Sequence, residues 1–343
     1  MSLLIRVPVA WTRTGATIED ALVVVEGARI AHVGPSSEPI EAAEEIAGSW
    51  FLMPAGADRH VHVALSDPGA ILAGGVTAVR DLGWPPDDIF PLADASEGPA
   101  FNGPRIVAAG PMFTAPGGYP SRATWAPPGT ALEIGEPDRA RRAVEALASR
   151  GAAAVKVALN SDAGPTPSDP VLLAICDAAR GRGLPVSAHV QGRGQTERAM
   201  GAGVDELAHC PWEPLSDATI DALARGVRVV STLDVHSYGR DTPQYRIAVD
   251  NLRRFAAAGG EVAYGTDLGN GPIPPGLHVR EAQHLLAAGL SPDDVLRSVT
   301  ANPIAPGAPA DLIGLAGDPR EDLEQLGRVR FVMKAGRVVR AGP

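Results

Sequence analysis

FLMPAGADRHVHV, residues 51–63, holds an apolar run, a Pro-Ala-Gly turn, an acid and two histidines separated by one residue. Side chains at positions i and i+2 of a β-strand lie on the same face. His60 and His62 are therefore expected to point the same way at the end of a strand, which is how a backbone offers two imidazoles to one metal ion. The same pattern also fits two polar residues that simply leave a strand. Residues further along the chain decide between these interpretations.

The composition indicates a large apolar core. The 343 residues are 45% hydrophobic but only 4% aromatic, so alanine, valine, leucine and isoleucine make up most of that core. The net charge of −10 argues against a nucleic-acid-binding protein, because such proteins present a basic face. The sequence shows neither a basic-then-apolar leader nor an apolar stretch of ~18 residues. We therefore expect no nucleic-acid partner and no membrane partner.

Cysteine and lysine usage gives two further indications. Cys176 and Cys210 form no Cys-x-x-Cys pair, which fits a reducing cytoplasm. Lysine occurs only at Lys156 and Lys334, whereas arginine takes every other basic position. A buried lysine can lose its proton and become a nucleophilic amine, and arginine cannot, so Lys156 is a candidate functional group. We expect a cytoplasmic protein with a small-molecule substrate, and we allow for a homo-oligomer.

The pattern from residue 51 onward predicts a (β/α)8 barrel. Eight apolar segments are strand candidates: 51–62, 76–82, 105–109, 153–158, 185–190, 206–210, 227–232 and 262–266. Stretches with helical spacing lie between most of them, such as 137–150 and 170–180, and Ser291 is placed to cap a further helix. Strands that alternate with helices in this way are typical of an α/β barrel.

Both ends of the chain carry a different, β-rich pattern. Near the start, the strand candidates are 4–9, 21–25 and 29–33. Residues 310–339 return to the same pattern near the end. We therefore predict two domains: a composite β unit made of residues 1–50 and 306–343, and a barrel made of residues 51–305.

Polar residues gather at the predicted strand ends. These residues are His60 and His62 on the first strand, Lys156 on the fourth, His189 on the fifth, His209 on the sixth and Asp267 on the eighth. Active sites of such barrels lie at the C-terminal ends of the strands. Any one of these residues alone is explained better as a hydrogen-bonded polar side chain. All six at one end would need six independent coincidences, so we predict that they form one metal site.

Several motifs carry a resemblance to a known family. They are PAGADRHVH at 54–62, GGVTAVRDLG at 74–83, TAPGGYP at 114–120, ELAHC at 206–210, GTD at 265–267 and TANP at 300–303. With these motifs the chain resembles the amidohydrolase superfamily, in its imidazolonepropionase-like and prolidase-like branch of metal-dependent hydrolases. The resemblance implies a distorted TIM (β/α)8 barrel with a small β-sandwich formed by the N- and C-terminal segments. The family's usual stretch between Pro303 and Ala310 is nearly missing here.

The resemblance also implies a binuclear metal site. It assigns one divalent ion to His60, His62 and Asp267, the other to His189 and His209, and the bridge between them to a carboxylated Lys156. Zinc is the expected metal, because imidazole and carboxylate ligands suit it. A hydroxide shared by the two ions would attack the substrate, with Asp267 as general base and then as general acid.

Candidate substrate contacts follow the third and seventh strands. They are Tyr119, Arg122, His236 and Tyr238. Tyr119 could donate to a carbonyl or carboxylate or could pack on a neighbour, and the other three could meet a substrate carboxylate. Trp212, close after His209, could form a wall of the pocket. The Pro-rich stretches 114–128 and 270–275 are predicted loops after barrel strands, and the first is long enough to be functional.

The favoured reaction is hydrolysis of an amide C–N bond in a dipeptide, an N-acyl amino acid or a cyclic amide. Two alternatives stay open. The same site could act on an ester, a lactone or a phosphotriester, because a metal-bridging hydroxide can attack any of these electrophiles. A non-catalytic scaffold can also share the fold, although such proteins usually lose ligands and none is missing from this sequence.

Overall fold

The computed structural model describes residues 2–14, 17–40 and 42–342 and shows a mixed α/β fold. The strands are β1 (Ser2–Trp11), β2 (Thr17–Glu26), β3 (Arg29–Pro35), β4 (Glu44–Ala47), β5 (Phe51–Pro54), β6 (Gly56–Val61), β7 (Val76–Asp81), β8 (Arg105–Ala108), β9 (Met112–Thr114), β10 (Ala131–Glu133), β11 (Val155–Asn160), β12 (Val186–Gln191), β13 (Glu206–Leu207), β14 (Arg228–Val230), β15 (Val262–Ala263), β16 (Leu312–Leu315), β17 (Val329–Lys334) and β18 (Arg337–Ala341).

Helices follow most of the strands in the middle of the chain. They are α1 (Pro68–Ala73), α2 (Pro86–Ser96), α3 (Pro137–Ser149), α4 (Asp169–Gly181), α5 (Gln195–Ala202), α6 (Asp217–Ala224), α7 (Pro243–Ala257), α8 (Val279–Ala287) and α9 (Pro292–Val299). Short 3-10 turns lie at Val63–Leu65, Leu233–His236 and Leu323–Gly327. In the described part of the chain, no helix has both the length and the hydropathy to cross a membrane.

The helix predictions follow from residue spacing, and the structure confirms them. In α3, Ala140, Val144 and Leu147 are buried on one face, as their spacing of three and four residues requires. Helix α9 begins after Ser291, whose side chain accepts a hydrogen bond from the backbone N–H of Asp294.

The strands form three sheets. The first contains eight strands in the order β18-β17-β16-β5-β1-β2-β3, with β4 paired to β1. The second contains seven in the order β10-β9-β11-β12-β13-β14-β15, and its pairs are parallel. The third is the parallel set β6-β7-β8. Every residue of β11 is buried, as expected for a central strand of a parallel sheet that is covered on both faces.

The predicted barrel strands all contain strand structure, but their pairing differs from the prediction. Across the described residues the pairing makes two open sheets and no closed barrel. Hydrogen bonds still link these sheets, because the N–H of Asp267 donates to the C=O of His60 at 2.8 Å and the N–H of Ala153 donates to the C=O of Ala108 at 2.8 Å. The eighth predicted strand therefore lies beside the first, and the fourth lies beside the third.

The segment predicted as one strand at 51–62 is two strands in two different sheets. Strand β5 pairs with β1 and β16, whereas β6 pairs with β7. The change of sheet occurs at Ala55, whose N–H donates to the C=O of Asp311, and at Gly56, whose N–H donates to the C=O of Gly75. The apolar run therefore belongs to the terminal sheet, and only the part with the histidines belongs with the barrel-like strands.

The two ends of the chain do combine in one sheet. Strand β5 is antiparallel to β16, with Met53 opposite Ile313, and β1 lies on its other side. Trp50 stacks on Phe331 with ring centroids 4.8 Å apart in the core beneath this sheet. The division into a terminal domain (1–50 and 306–343) and a barrel domain (51–305) stays a prediction. The β-sandwich stays a prediction as well.

We expect Trp11→Ala to lower the free energy of unfolding by about 3–5 kcal/mol, because removal of a large buried side chain leaves a cavity. Trp11 is fully buried at the end of β1, and its indole N–H donates to Asp293 at 2.9 Å in the first turn of α9. Urea unfolding measures the change. Leu286→Ala is the matched control, because Leu286 is 42% exposed and its loss should change stability by less than about 0.5 kcal/mol.

Candidate metal centre

The structure brings the predicted ligands to one cavity of about 200 Å³. Five of the six line it: His60, His62, His189, His209 and Asp267. The sixth, Lys156, is completely buried on β11. Only His60, His189 and Lys156 lie within strands; His209 follows β13 by two residues and Asp267 follows β15 by four. The irregular segments after the short strands, rather than the strands themselves, deliver these last two ligands.

Asp267 lies between the first two histidines. One of its carboxylate oxygens, Oδ1, is 3.3 Å from Nε2 of His60 and 3.3 Å from Nε2 of His62. Asn270 donates to the same oxygen at 3.0 Å. Burial by itself would raise the pKa of this carboxyl, but His60, His62 and Asn270 outweigh that effect and hold its pKa well below the usual value. Asp267 is therefore an anion at neutral pH.

Contacts of the Nδ1 atoms with backbone carbonyls orient two of the imidazole rings. Nδ1 of His60 is 2.7 Å from the C=O of Ala208, and Nδ1 of His62 is 3.1 Å from the C=O of Gly83. A carbonyl oxygen accepts a proton held on Nδ1, which leaves the lone pair on Nε2. Metal-binding histidines commonly have such a contact behind the ring, because it fixes the tautomer.

The rings of the other two histidines, His189 and His209, contact each other. The rings of His189 and His209 are edge to face, with centroids 4.7 Å apart. Nδ1 of His209 is 2.9 Å from Oγ1 of Thr232, and Nε2 of His189 is 3.3 Å from Nδ2 of Asn160. Burial and the nearby Lys156 lower the pKa of His189 to about 3, and burial beside other histidines puts the pKa of His209 well below its usual value. Both rings are neutral at pH 7, as metal ligands must be.

Three buried polar atoms at this site lack a hydrogen-bond partner among the described residues. They are Nζ of Lys156, Nε2 of His60 and Nε2 of His236. Burial lowers the pKa of Lys156 to about 7, even though Asp267 and Glu206 favour the charged form. Unsatisfied buried polar atoms are costly, so a cluster of them indicates a ligand that completes the site.

A cation could bind to a subset of these groups. His60, His209 and Asp267 each offer one ligand atom, and these atoms all lie within 4.8 Å of one another. The family resemblance assigns His60 and Asp267 to one ion and His209 to the other, so this set combines ligands of both. The division of the ligands between two metals therefore stays a prediction.

Of the predicted substrate contacts, two reach the cavity and two do not. Tyr119 and His236 line it. The Tyr119 ring is stacked on His189 at 5.1 Å, and the His236 ring is 4.4 Å from that of Trp212, which also lines the cavity. Arg122 is exposed on the surface, and Tyr238 is half-buried outside the set of lining residues.

Sequence reasoning missed Met112 and Val235, which line the cavity, and three residues that contact the candidate ligands. The Trp125 ring lies 4.6 Å from His62, Asn270 holds the Asp267 carboxylate, and Asn160 contacts His189. Trp125 and Asn270 lie in the two Pro-rich loops that follow barrel strands, so loop position was the signal for both. Asn160 ends β11 and had no pattern that singled it out.

A buried carboxylate supports one wall of the cavity. Asp234 is fully buried and accepts hydrogen bonds from Nε2 of His278 at 2.6 Å, from two nitrogens of Arg280 at 2.8 Å and from the hydroxyl of Ser237 at 2.8 Å. It lies in the 3-10 turn Leu233–His236, which also carries the two lining residues after it.

Glu281 holds the same turn from the other side. Its carboxylate accepts the backbone N–H groups of Leu233 at 2.9 Å and of Asp234 at 2.8 Å. The residue before the turn, Thr232, has a φ of +40°, which is strained for a β-branched residue. The carboxylates of α8 and of the turn therefore fix a strained segment that presents His236 to the cavity and Thr232 to His209.

We expect Asp234→Asn to lower the free energy of unfolding at pH 7 by about 3–5 kcal/mol, because it removes a fully buried anion that accepts hydrogen bonds from His278 and Arg280. Burial raises the pKa of Asp234, but hydrogen bonds from His278, His284 and Arg280 outweigh this and place it well below the usual value. A carboxyl with a lowered pKa stabilises the fold above its unfolded pKa of about 4 and loses that contribution as the pH falls.

The difference between the wild type and Asp234→Asn should therefore be complete at pH 7 and shrink below about pH 4. Urea unfolding at several pH values measures it. Asp177→Asn is the control, because Asp177 forms an exposed pair with Arg180 at 2.8 Å and should contribute less than about 1 kcal/mol. An equal loss at pH 7 and at pH 3 would contradict the role given to the Asp234 charge.

Known proteins resemble this chain over most of its length. A family model described as the Amidohydrolase family matches residues 51–339. An uncharacterized protein of Mycobacterium tuberculosis is 28% identical over 344 aligned residues, which cover 88% of this chain and 89% of that protein. The family match alone spans more than half of the chain.

Two solved structures share the fold. A Xaa-Pro dipeptidase with bound methionine in its active site has a TM-score of 0.85 and 21% identity, over 99% of this chain and 100% of that chain. A Bifidobacterium longum protein provisionally described as a prolidase has a TM-score of 0.85 and 27% identity, over 100% of this chain and 95% of that chain. At 21% identity, the first similarity shows the fold alone.

Proposed function

The chain belongs to the amidohydrolase family, and from that premise we propose that it is a metal-dependent hydrolase that cleaves the C–N bond of an amide. The observation that carries the proposal is the meeting of four histidines and Asp267 in one cavity, together with the buried amine of Lys156, which has no hydrogen-bond partner in the described part of the chain. The description of the Bifidobacterium longum protein as a prolidase supports an amide as the substrate. The family match confirms the resemblance drawn from the sequence motifs.

The fold of the family is part of the proposal. We propose that the seven-stranded and three-stranded sheets together represent a distorted (β/α)8 barrel, and that the terminal strands form its β-sandwich. The hydrogen bonds that link the edges of the two open sheets support the barrel. The single sheet shared by β1, β5 and β16 supports a composite unit made of both chain ends.

The donor set fits a pair of divalent ions. We propose that one ion is held by His60, His62 and Asp267, the other by His189 and His209, with a carboxylated Lys156 between them. Neutral imidazoles and carboxylates suit zinc, and the buried Nε2 of His60 without a partner is explained by a metal ligand role. An ammonium would be repelled by two dications, whereas a carbamate on the same nitrogen is an anion.

The reaction follows from the charges of the residues. When bound, the ions supply Lewis acidity and can lower the pKa of water to about 7. Asp267, kept anionic by its neighbours, accepts the proton of the attacking water and returns it to the leaving nitrogen. Asn270 donates to Oδ1, and we propose that the other oxygen, Oδ2, carries this proton. Burial raises the pKa of Tyr119, which therefore keeps its proton and can donate it in a hydrogen bond to the substrate carbonyl.

We expect Asp267→Asn to reduce kcat by at least about 100-fold, because the amide cannot accept the proton, while most of the bound metal remains. Turnover of a small amide and metal content by mass spectrometry are measured on the same preparation. Asp138→Asn is the control: its carboxylate is 82% exposed on α3 and its change should leave both values as in the wild type. Wild-type turnover in Asp267→Asn would remove this residue from the proton transfer.

Lys156→Ala should lose activity, and short carboxylic acids such as acetate or propionate should restore part of it by standing in for the lost carbamate. The matched control is Lys334→Ala, which removes the only other lysine; that amine donates to the C=O of Ser96 and of Gly103, outside the cavity. Activity is measured against acid concentration at fixed zinc. Full activity of Lys156→Ala without any acid would dismiss the carbamate bridge.

The same protein also tests the choice of electrophile. Zinc-loaded wild type is assayed with a panel of dipeptides, N-acyl amino acids, cyclic amides, lactones and phosphotriesters. Fastest turnover of an amide is the expected result. Turnover confined to lactones or phosphotriesters would replace the amide proposal, and binding of metal with no turnover of any class would favour a scaffold.

A further inference from the structure

The acid within residues 51–63 has no role in the reaction described above. Asp58 lies two residues before His60 on β6, is buried, and is not among the residues that line the cavity. A carboxylate that is removed from water costs free energy, and an apolar side chain of similar size fills the same space without that cost. The contacts of Asp58 indicate what the carboxylate contributes instead.

Asp58 accepts hydrogen bonds from both segments that carry the first candidate ligands. Its Oδ1 accepts the backbone N–H of His60 at 3.0 Å and the backbone N–H of Thr266 at 3.1 Å. Its Oδ2 accepts the hydroxyl of Thr266. One buried carboxylate therefore holds the backbone of His60 next to the residue that precedes Asp267.

The hydroxyl of Thr266 extends this contact along the chain. Thr266 is buried, and its Oγ1 accepts the backbone N–H of Leu268 at 3.1 Å. The N–H of Asp267, which lies between them, donates to the C=O of His60 at 2.8 Å. The three consecutive N–H groups of residues 266–268 are therefore all bound, two of them by the side chains of Asp58 and Thr266.

The conformation of Asp267 depends on such contacts. Its φ of +58° is unfavourable for a residue with a side chain and persists only where the surrounding structure imposes it. In this conformation Oδ1 lies 3.3 Å from Nε2 of His60 and 3.3 Å from Nε2 of His62. A segment that lost its contacts would relax toward a commoner conformation, and the carboxylate would move away from the two imidazoles.

We propose that Asp58 and Thr266 are positioning residues of the metal centre: together they hold the Asp267 carboxylate beside His60 and His62. The inference rests on the proposed function and extends it to two residues outside the cavity wall. Hydrogen bonds behind the ligands fix their orientation before the ion binds, and their loss typically lowers metal affinity about 10- to 100-fold. The same contacts keep the proton acceptor of the reaction in place.

A general contribution to stability is the competing explanation, because loss of any buried hydrogen bond lowers the free energy of unfolding. The two explanations predict different results. Loss of stability alone leaves the zinc Kd of the folded protein unchanged, whereas loss of position raises it.

Thr266→Val tests the inference, because valine has nearly the same shape but can neither donate to Asp58 nor accept from Leu268. Asp58→Asn is less suitable, because its amide nitrogen would oppose the N–H donors and endanger the fold. We expect the zinc Kd of Thr266→Val, measured by competition with a chromogenic chelator, to be at least about tenfold higher than that of the wild type. Thr266→Ser keeps the hydroxyl and should return the Kd to within about threefold.

Leu147→Ala is the control for stability. Leu147 is buried on α3 and does not line the cavity, so its truncation should lower the free energy of unfolding at least as much as Thr266→Val does. Its zinc Kd should stay within about threefold of the wild type. A wild-type Kd in Thr266→Val, or an equal rise in Leu147→Ala, would overturn the inference.

Kinetics separate positioning from substrate contact. With zinc at saturation, Thr266→Val should lower kcat at least about tenfold and leave KM within about threefold, because its side chain lies outside the cavity wall. A raised KM with an unchanged kcat would place Thr266 in substrate binding and would overturn the inference.

Hydrogen exchange tests the same contacts without zinc. In the metal-free protein, the backbone amide of Leu268 should exchange at least about tenfold faster in Thr266→Val than in the wild type, because it has lost its acceptor. Wild-type exchange at Leu268 would overturn the inference. If the wild type itself binds no zinc, the proposed function fails, and the exchange measurement still decides whether Asp58 and Thr266 hold this segment.

Discussion

Three backbone hydrogen bonds tie the segment after β15 to β6. The N–H of Arg59 donates to the C=O of Tyr264 at 3.2 Å, that of Asp267 to His60 at 2.8 Å, and that of His62 to Leu268 at 2.7 Å. They bring the last candidate ligand beside the first two, although most of the barrel-like region separates them in the chain. Asp267 itself has a φ of +58°, an uncommon conformation for a residue with a side chain, and such strain persists where surrounding contacts impose it.

Most of the elements and the candidate ligands could be predicted from the sequence, because both depend on local patterns. Apolar periodicity located the eight strands that were predicted for a barrel, and helix spacing located α3 and α4. Periodicity does not say which strands pair, so the split of residues 51–62 between two sheets was not foreseen. It also overestimated the strands at 206–210 and 262–266, where only two residues each are paired in a ladder and the rest is irregular.

The walls of the site could not be predicted in the same way. Trp125 and Asn270 lie in loops, where no repeating pattern tells which side chain turns inward. Arg122 follows the Gly-Gly-Tyr-Pro segment more closely than Trp125 does, yet Arg122 is exposed while Trp125 packs against His62. The charge of the cavity depends on such differences, and they arise from the tertiary path of the loops rather than from residue type.

At Ala55 the chain passes directly from the sheet of the terminal strands to the sheet that contains β6. Strand β5 is held between β1 and β16, and one residue later the same backbone becomes β6, which carries His60. A link of one residue gives the two sheets little room to move independently of each other. The terminal strands therefore support the position of the site through β5 and β6. Truncation at either terminus is expected to disturb that site.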